Sequence, residues 1–463
     1  MTQKKGTQID REAIVKDYRL GFRSRQASII GRREVLTGKG KFGIFGDGKE
    51  LAQIAIAHSY QKGDWRAGYY RDQTWMMAAG LLTLEQFFAQ IYGNPDPIQE
   101  PNSGGRSMNN HFTSPLLDAD GNWLSQVDRF NTSTDIASTA SQMPRAVGLA
   151  YSSVLYRKME ELKQFKGFSN NGNEVTWVTI GNASTSEGLF WEAVNAIGVL
   201  HAPAVITIYD DGYGISVPNQ FQMVKENIYA ILQGFQRESC PAEECDKGYD
   251  LYSVHAWDYE KLVEVYQTAS ENARKHHIPA LVHVTEATQP LGHSTSGSHE
   301  RYKSPERLAW ETKYDCLTQF RQWIVSENVA SEAELENWQA EDAEIVETAR
   351  KTAWEAFQNP IREIRNQAVK LLNQLSDSTT HADTIESHSE TLTNLQDLTR
   401  AEVLTTVHAS LVETRSEPSL ARQNLDEFAQ DLQQKNLNYY DSELLSTSAQ
   451  SPMRVPTIAP VYA

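Results

Sequence analysis

The sequence predicts an α/β protein with a mostly parallel sheet flanked by helices and a helical C-terminal extension. Residues 174–180 (EVTWVTI) form an apolar, strand-like run, and residues 187–200 place Leu189, Phe190, Val194 and Ile197 on one helical face. Residues 203–209 (PAVITIY) form a second buried run. Strand, helix and strand in this compass make a parallel crossover, because parallel neighbours need a long return connection. The unit recurs, with Tyr259–His276 helical and Ala280–Thr285 (ALVHVT) as a third strand. This alternation marks a parallel sheet. Ligands on such sheets bind beyond the carboxyl ends of the strands, so the loops after Ile180, Tyr209 and Thr285 are the candidate site.

The remaining elements follow from periodicity. Residues 9–35 read as a helix carrying Ile14, Tyr18 and Phe22, and helical spacing returns over 48–60, 83–92 and from 144 to 162. Residues 94–142 are rich in Gly, Asn, Ser, Pro and Thr and too long for a plain connector, which predicts a functional loop. Residues 341–375 read as one long helix interrupted at Pro360. Residues 376–390 (SDSTTHADTIESHSE) read as a polar linker, and 391–435 as two amphipathic helices with Leu392, Leu395, Leu398, Leu404 and Leu411 on the apolar face. The expected division is therefore a main domain over 1–375 and a linker with a helical tail over 376–463.

The 463 residues carry 43 Lys and Arg against 60 Asp and Glu, a net charge of −17. That balance argues against a nucleic-acid footprint and against docking on an anionic membrane. A hydrophobic fraction of 40% is enough for a packed core. Three cysteines, Cys240, Cys245 and Cys316, exclude a disulfide scaffold, and their spacing does not suit a structural zinc site. The most apolar stretch, 197–209, is too short to span a bilayer. Asp10, Glu12 and Asp17 count against a mitochondrial presequence, so the expectation is a cytoplasmic protein.

The loops after the first two strands read Gly181-Asn182-Ala183-Ser184-Thr185-Ser186-Glu187-Gly188 and Asp210-Asp211-Gly212-Tyr213-Gly214-Ile215-Ser216. Small residues let main-chain N–H groups approach phosphate oxygens at a helix start. Asn182, Asp211 and the Tyr213 carbonyl are oxygen donors of the kind that Mg²⁺ takes.

These loops resemble the cofactor motif of the α-type subunit of the thiamine-diphosphate-dependent 2-oxo acid dehydrogenases, Gly-Asp-Gly followed by about thirty residues and Asn-Asn. Asn182 and Asp211 lie 29 positions apart with the two letters exchanged, so one carboxylate and one amide are kept. The expectation is a reciprocal swap that still binds Mg²⁺. Gly46-Asp47-Gly48 and Asn109-Asn110 spell the same triplet and pair, but 62 positions separate Asp47 from Asn109, and Gly48-Lys49-Glu50 instead matches an early Gly-x-Glu of the family.

The resemblance covers roughly residues 10–375 and implies a thiamine-diphosphate-binding fold. Tyr70-Arg71 matches the pair that grips the diphosphate, a task suited to a planar guanidinium. Gly104-Gly105-Arg106-Ser107-Met108 and His111 match a glycine-rich loop and its histidine, and Gln142-Met143-Pro144 a turn into a helix. The resemblance further implies cofactor contacts from Ala137, Thr139, Gly181, Ala183, Ser184 and Tyr209. Gly292-His293-Ser294-Thr295-Ser296 matches the loop that carries the family's active-site histidine, which falls on His293. His293 and His111 are the candidate catalytic residues.

By the same resemblance the chain decarboxylates a 2-oxo acid, with branched-chain 3-methyl-2-oxobutanoate favoured, and acylates the lipoyl group of a partner acyltransferase. A pyruvate- or acetoin-specific member of the same family is the alternative, as is a non-catalytic scaffold subunit that has lost its metal. The family's catalytic glutamate sits on a β-type subunit, which implies a two-α, two-β heterotetramer with the cofactor at the interface. Arg32-Arg33-Glu34-Val35-Leu36-Thr37-Gly38-Lys39 is most similar to the fused bacterial form, and 376–463 then resembles its connector toward a β-type half. A nicotinamide fold would need Gly-x-Gly-x-x-Gly where Gly181-Asn182-Ala183 stands.

Overall fold

The structure, a computed structural model, describes residues 10–238, 247–396, 398–441, 451–454, 456–457 and 459–460. Cys240, Cys245 and the final Val461-Tyr462-Ala463 lie outside the described residues. Cys316 is a buried free thiol.

Six parallel strands form the central sheet: β1 (Trp65–Ala67), β2 (Asn131–Thr132), β3 (Thr176–Gly181), β4 (Ala204–Tyr209), β7 (Asp250–His255) and β8 (Ala280–Thr285), in the order β2-β1-β3-β4-β8-β7. A separate hairpin pairs β5 (Tyr213–Gly214) with β6 (Val217–Pro218). Every residue of β4, and β3 up to Ile180, is buried, as a strand covered on both faces requires. The three strands expected from sequence are present. β1 and β2 were not foreseen because two or three residues carry no period. β7 was missed because it is an edge strand of mixed polarity, DLYSVH.

Fourteen α-helices occur among the described residues. They are α1 (Arg11–Leu36), α2 (Glu50–Ser59), α3 (Gln73–Ala78), α4 (Leu84–Tyr92), α5 (Gln142–Lys158), α6 (Gly188–Leu200), α7 (Ile228–Leu232), α8 (Tyr259–His276), α9 (Pro305–Lys313), α10 (Cys316–Ser326), α11 (Glu332–Ser376), α12 (Ala382–Asn394), α13 (Arg400–Glu413) and α14 (Leu420–Asp441). Capping boxes start α4 (Thr83 with Gln86), α11 (Ser331 with Glu334) and α13 (Thr399 with Glu402), each satisfying two otherwise unpaired N–H donors. One sheet face packs on α5, α6 and α7 through Met143, Phe190, Val194, Ile197 and Ile228. The other packs on α1, α2, α8 and α10 through Ile54, Leu262, Tyr266 and Phe320. None of the described helices is long and apolar enough to cross a membrane.

The C-terminal region departs from expectation twice. α11 runs straight through Pro360 with no interruption. Pro360 is exposed, while Gln358 and Ile361 beside it are buried and Gln358 Nε2 donates to the Leu398 carbonyl at 3.2 Å, so tertiary packing holds both halves in one helix. Residues 382–390, expected as linker, belong to α12, which buries Ile385, Ser389 and Leu392. Its polar residues bond neighbouring helices, Ser389 Oγ to Asn373 Oδ1 at 2.6 Å and His388 Nδ1 with Ser410 Oγ at 2.8 Å. Together α11–α14 enclose a third apolar cluster.

A buried ionic hub sets the near end of the sheet. The Arg66 guanidinium, fully buried, donates to Asp72 Oδ2 at 2.9 Å, to both Asp135 oxygens at 3.0 Å and to Thr132 Oγ1 at 2.8 Å. Thr179 Oγ1 donates to Asp72 Oδ2 at 2.6 Å. β1, β2, β3 and the end of the long 94–142 segment are thus tied at one point. Replacing Arg66 by Met leaves two buried carboxylates without their cation, and unfolding free energy is expected to fall by about 3–5 kcal/mol. Urea titration followed by tryptophan fluorescence measures this, and an unchanged midpoint contradicts the hub.

Candidate functional site

The chain reverses direction within the sheet between β1 and β3. From β1 it passes outward to β2, then returns across β1 to β3 and on to β4. The loops leaving β1 and β3 diverge there and open a crevice at the strand ends. A cavity of about 300 Å³ occupies this crevice. Of the residues expected at the site, it brings together Tyr70, Arg71, Thr139, Gly181, Asn182, Ala183, Ser184, Tyr209, Asp211, Tyr213 and His293. Two do not line it. Ala137 is exposed on the approach to α5, and His111 is buried with Nδ1 3.2 Å from the Asn109 carbonyl, because the 94–142 segment turns it inward. Asp47 and Asn109, the look-alike motifs, are structural: Asp47 accepts from the Leu291 amide at 2.8 Å and Asn109 Nδ2 donates to the Ile44 carbonyl at 2.6 Å.

Arg71 is pinned at the cavity floor. Its Nη1 donates to the Phe45 carbonyl at 2.5 Å, and its Nη2 to the His293 carbonyl and to His293 Nδ1, each at 3.0 Å. That last bond makes Nδ1 the acceptor and places the proton of a neutral imidazole on Nε2. Burial, and then the Arg71 charge, lower the His293 pKa from 6.5 to about 4.

The Asn182 amide is fixed by a relay from the sheet. Nδ2 of Asn182 donates to Asn219 Oδ1 at 2.6 Å, Asn219 Nδ2 donates to Asp210 Oδ1 at 3.1 Å, and Asp210 Oδ2 lies 2.8 Å from His283 Nε2. The nitrogen being committed, the amide presents an oxygen. Asp211 is held by its own loop, with Oδ1 accepting from the Tyr213 amide at 3.1 Å and its carbonyl accepting from Arg307 Nη2 at 2.9 Å. Burial would raise its pKa, but Lys49, Arg71 and Lys303 outweigh that and hold it below the ordinary carboxylate value.

Lys49 was not among the expected site residues, yet it lines the cavity with 2% exposure. Its Nζ donates to the Thr288 carbonyl at 2.7 Å, to Gln289 Oε1, and to Asp211 Oδ2 at 3.3 Å. Burial pulls its pKa below the ordinary lysine value, with Asp211 opposing. Gly48 makes the placement: its φ is +84°, and a Cβ there would collide with the Thr288 carbonyl. Glu50 then secures the turn, accepting from the Gly48 amide at 2.8 Å and from Arg25 at 2.7 Å. Tyr69, Glu187, Ile215 and Gln222 also reach the cavity unforeseen. Gly48-Lys49-Glu50 was a visible signal, but a lysine before a helix reads as surface.

The cationic wall of Arg71 and Lys49 suits an anionic diphosphate, and the Tyr209 hydroxyl, buried at the cavity without a partner, offers one more donor. The residues therefore fit a phosphorylated cofactor. They do not fit the expected Mg²⁺ in the same way. Only Asp211 among the three expected ligands is anionic, and both its oxygens are engaged, one of them by an ammonium.

A neutral His293 has a pH consequence. With a pKa lowered from 6.5 to about 4, its contribution to stability is present above pH 6.5 and is lost as pH falls toward 4. Histidine NMR of the folded chain should show the His293 ring titrating near pH 4, and a midpoint of about 6.5 or higher would contradict the burial and the Arg71 contact.

The model of the dehydrogenase E1 component family matches residues 28–362. The mitochondrial 2-oxoisovalerate dehydrogenase subunit alpha 2 of Arabidopsis thaliana is 28% identical over 60% of this chain and 50% of its own length. The 2-oxoisovalerate dehydrogenase subunit alpha of Bacillus subtilis (strain 168) is 26% identical over 64% of this chain and 77% of its own. The pyruvate dehydrogenase E1 component subunit alpha of Acholeplasma laidlawii is 24% identical over 76% and 87%. The chain spans about half to three fifths of the length of the two Arabidopsis relatives it matches. A matched region that contains the whole sheet, the crevice and every cavity residue places the chain in the dehydrogenase E1 component family, as an α-type member.

Proposed function

We propose that this chain is the α-type decarboxylating component of a 2-oxo acid dehydrogenase complex, working with thiamine diphosphate. The substrate is a 2-oxo acid, branched-chain 3-methyl-2-oxobutanoate ahead of pyruvate, and the acyl group passes to the lipoyl arm of a partner acyltransferase. The observation that carries this reading is the meeting of Arg71, His293 and the Asn182 and Asp211 loops at the crevice between β1 and β3. The preference for a branched chain rests on similarity to the 2-oxoisovalerate dehydrogenase subunits of Arabidopsis and Bacillus.

Bound thiamine diphosphate supplies an electron sink for loss of carbon dioxide from a 2-oxo acid. The chain supplies position and charge. Arg71, held from behind by Phe45 and His293, keeps its guanidinium at the diphosphate position with part of its donor set still free. His293 presents its Nε2 proton as a neutral donor, adding no charge beside Arg71. Tyr69 and Tyr209, whose rings stack at 6.2 Å, wall the cavity against water.

The site is half of a larger one in this reading, completed by a β-type subunit in a two-α, two-β assembly. Supporting this, the segment that leaves the cavity at Ile215 is apolar and exposed at Ile215, Val217, Phe221 and Val224. Ile215 is also held at φ +57°, a conformation that a β-branched residue adopts only under constraint. Helices α12, α13 and α14 serve as an extension toward that partner, and the complex is cytoplasmic.

Two outcomes are expected. With a β-type partner and thiamine diphosphate, the chain should release carbon dioxide from 3-methyl-2-oxobutanoate faster than from pyruvate, and Arg71→Gln should raise the half-saturating cofactor concentration about 10- to 100-fold, the worth of a charge-assisted hydrogen bond. No release from any 2-oxo acid, with the partner bound, favours a non-catalytic subunit. Ile215→Gly should stabilise the isolated chain by about 1 kcal/mol while weakening its association with the partner, as read by denaturant titration and sedimentation.

A further inference from the structure

We infer that the Lys49 ammonium is a built-in countercation for the cofactor diphosphate, so that thiamine diphosphate binds this chain without a divalent metal ion. The inference rests on the cofactor reading above and concerns how that cofactor's charge is met.

Lys49 is held in the way a hard cation is held. Its ammonium sits against a main-chain carbonyl (Thr288), a side-chain amide oxygen (Gln289) and a carboxylate (Asp211). These are the donor types that Mg²⁺ and Ca²⁺ select. A lysine so placed loses its hydration, and only dedicated oxygen partners offset that loss. Lys49 enters from the start of α2, and its partners come from two other places in the chain, the loop after β4 and the loop after β8. Gly48, with its left-handed φ and no room for a Cβ beside Thr288, is what lets the backbone press close enough for the side chain to enter.

The charges point the same way. Asp211 is the one anion among the expected ligands, and Lys49 contacts it directly while Arg71 and Lys303 also bear on it. A divalent ion bound to Asp211 Oδ2 would stand beside an ammonium 3.3 Å from that same oxygen, so the two cations would compete for one carboxylate. Asn182, where the related motif has an aspartate, adds an oxygen and no charge. The exchange keeps the ligand charge but puts the carboxylate where Lys49 reaches it, so that Asp211 is committed to the ammonium and to the Tyr213 amide.

The test uses the full chain copurified with its β-type partner, titrated calorimetrically with thiamine diphosphate in EDTA and in Mg²⁺, and with Mg²⁺ alone. Wild-type dissociation constants in the two buffers should agree within about threefold, and Mg²⁺ alone should give no heat of binding. Lys49→Met should weaken binding in EDTA by at least about tenfold, with Mg²⁺ restoring part of it, while Lys49→Arg, which keeps the charge, should still bind in EDTA. If Lys49→Met does not fold, the wild-type pair and Lys49→Arg decide. Wild-type binding that disappears in EDTA and returns with Mg²⁺ overturns the countercation and leaves the cofactor reading intact. Absence of binding in both buffers overturns both.

Discussion

The buried Arg66 hub is the constraint on which the site depends. A guanidinium with no solvent exposure is stable only when its charge and donors are met, and Asp72 from one segment and Thr132 and Asp135 from another meet them. The Thr179 hydroxyl adds β3 through Asp72. The result is that β1, a strand of three residues, stands in register between β2 and β3 although its own ladder is too short to fix it. That register brings Tyr69, Tyr70 and Arg71 to the cavity that Gly181 and Asn182 also line. The aromatic faces of Trp75 and Phe112, 5.7 and 5.2 Å from the guanidinium carbon, close the hub against water.

Above the hub the cavity is organised by unequal charge. Lys49 and Arg71 arrive from two segments and face the single carboxylate of Asp211, while Lys303 and Arg307 behind it are paired by Glu311. The surplus is positive and directed at the cavity, which suits an anionic ligand. It also governs the histidine: a protonated His293 beside Arg71 would add like charge in a desolvated place, so the ring stays neutral. Tight loops carry this arrangement. Gly48 and Gly212 both adopt positive φ, and each precedes or follows a charged residue of the cavity.

Much of the architecture was legible because it rests on local pattern. Residues 259–276 and 280–285 have the bounds that periodicity sets, and the loops after β3 and β4 were located by the strands that precede them. The resemblance of motif spacing then located Arg71, Asn182, Asp211 and His293, which the fold brings to one cavity. Legibility failed where local pattern is weak. β1 and β2 are too short to show alternation, residues 382–390 contain only Ala382 and Ile385 as apolar signals for α12, and Pro360 carries a breaker's signature that packing overrides. His111 sits in a matching motif, but its ring direction is a tertiary property.

By itself the sequence determined the parallel α/β layers, the strand ends as the place to look, and the family through spaced motifs, since periodicity and spacing are properties of a single chain segment. Only the tertiary structure decided which cation stands beside Asp211. Lys49 precedes Asp211 by 162 positions, and a lysine at a helix start carries no mark of burial. Its place is fixed by Gly48, the Thr288 carbonyl and the Gln289 amide acting together, and desolvation is a property of that enclosure, not of the residue type.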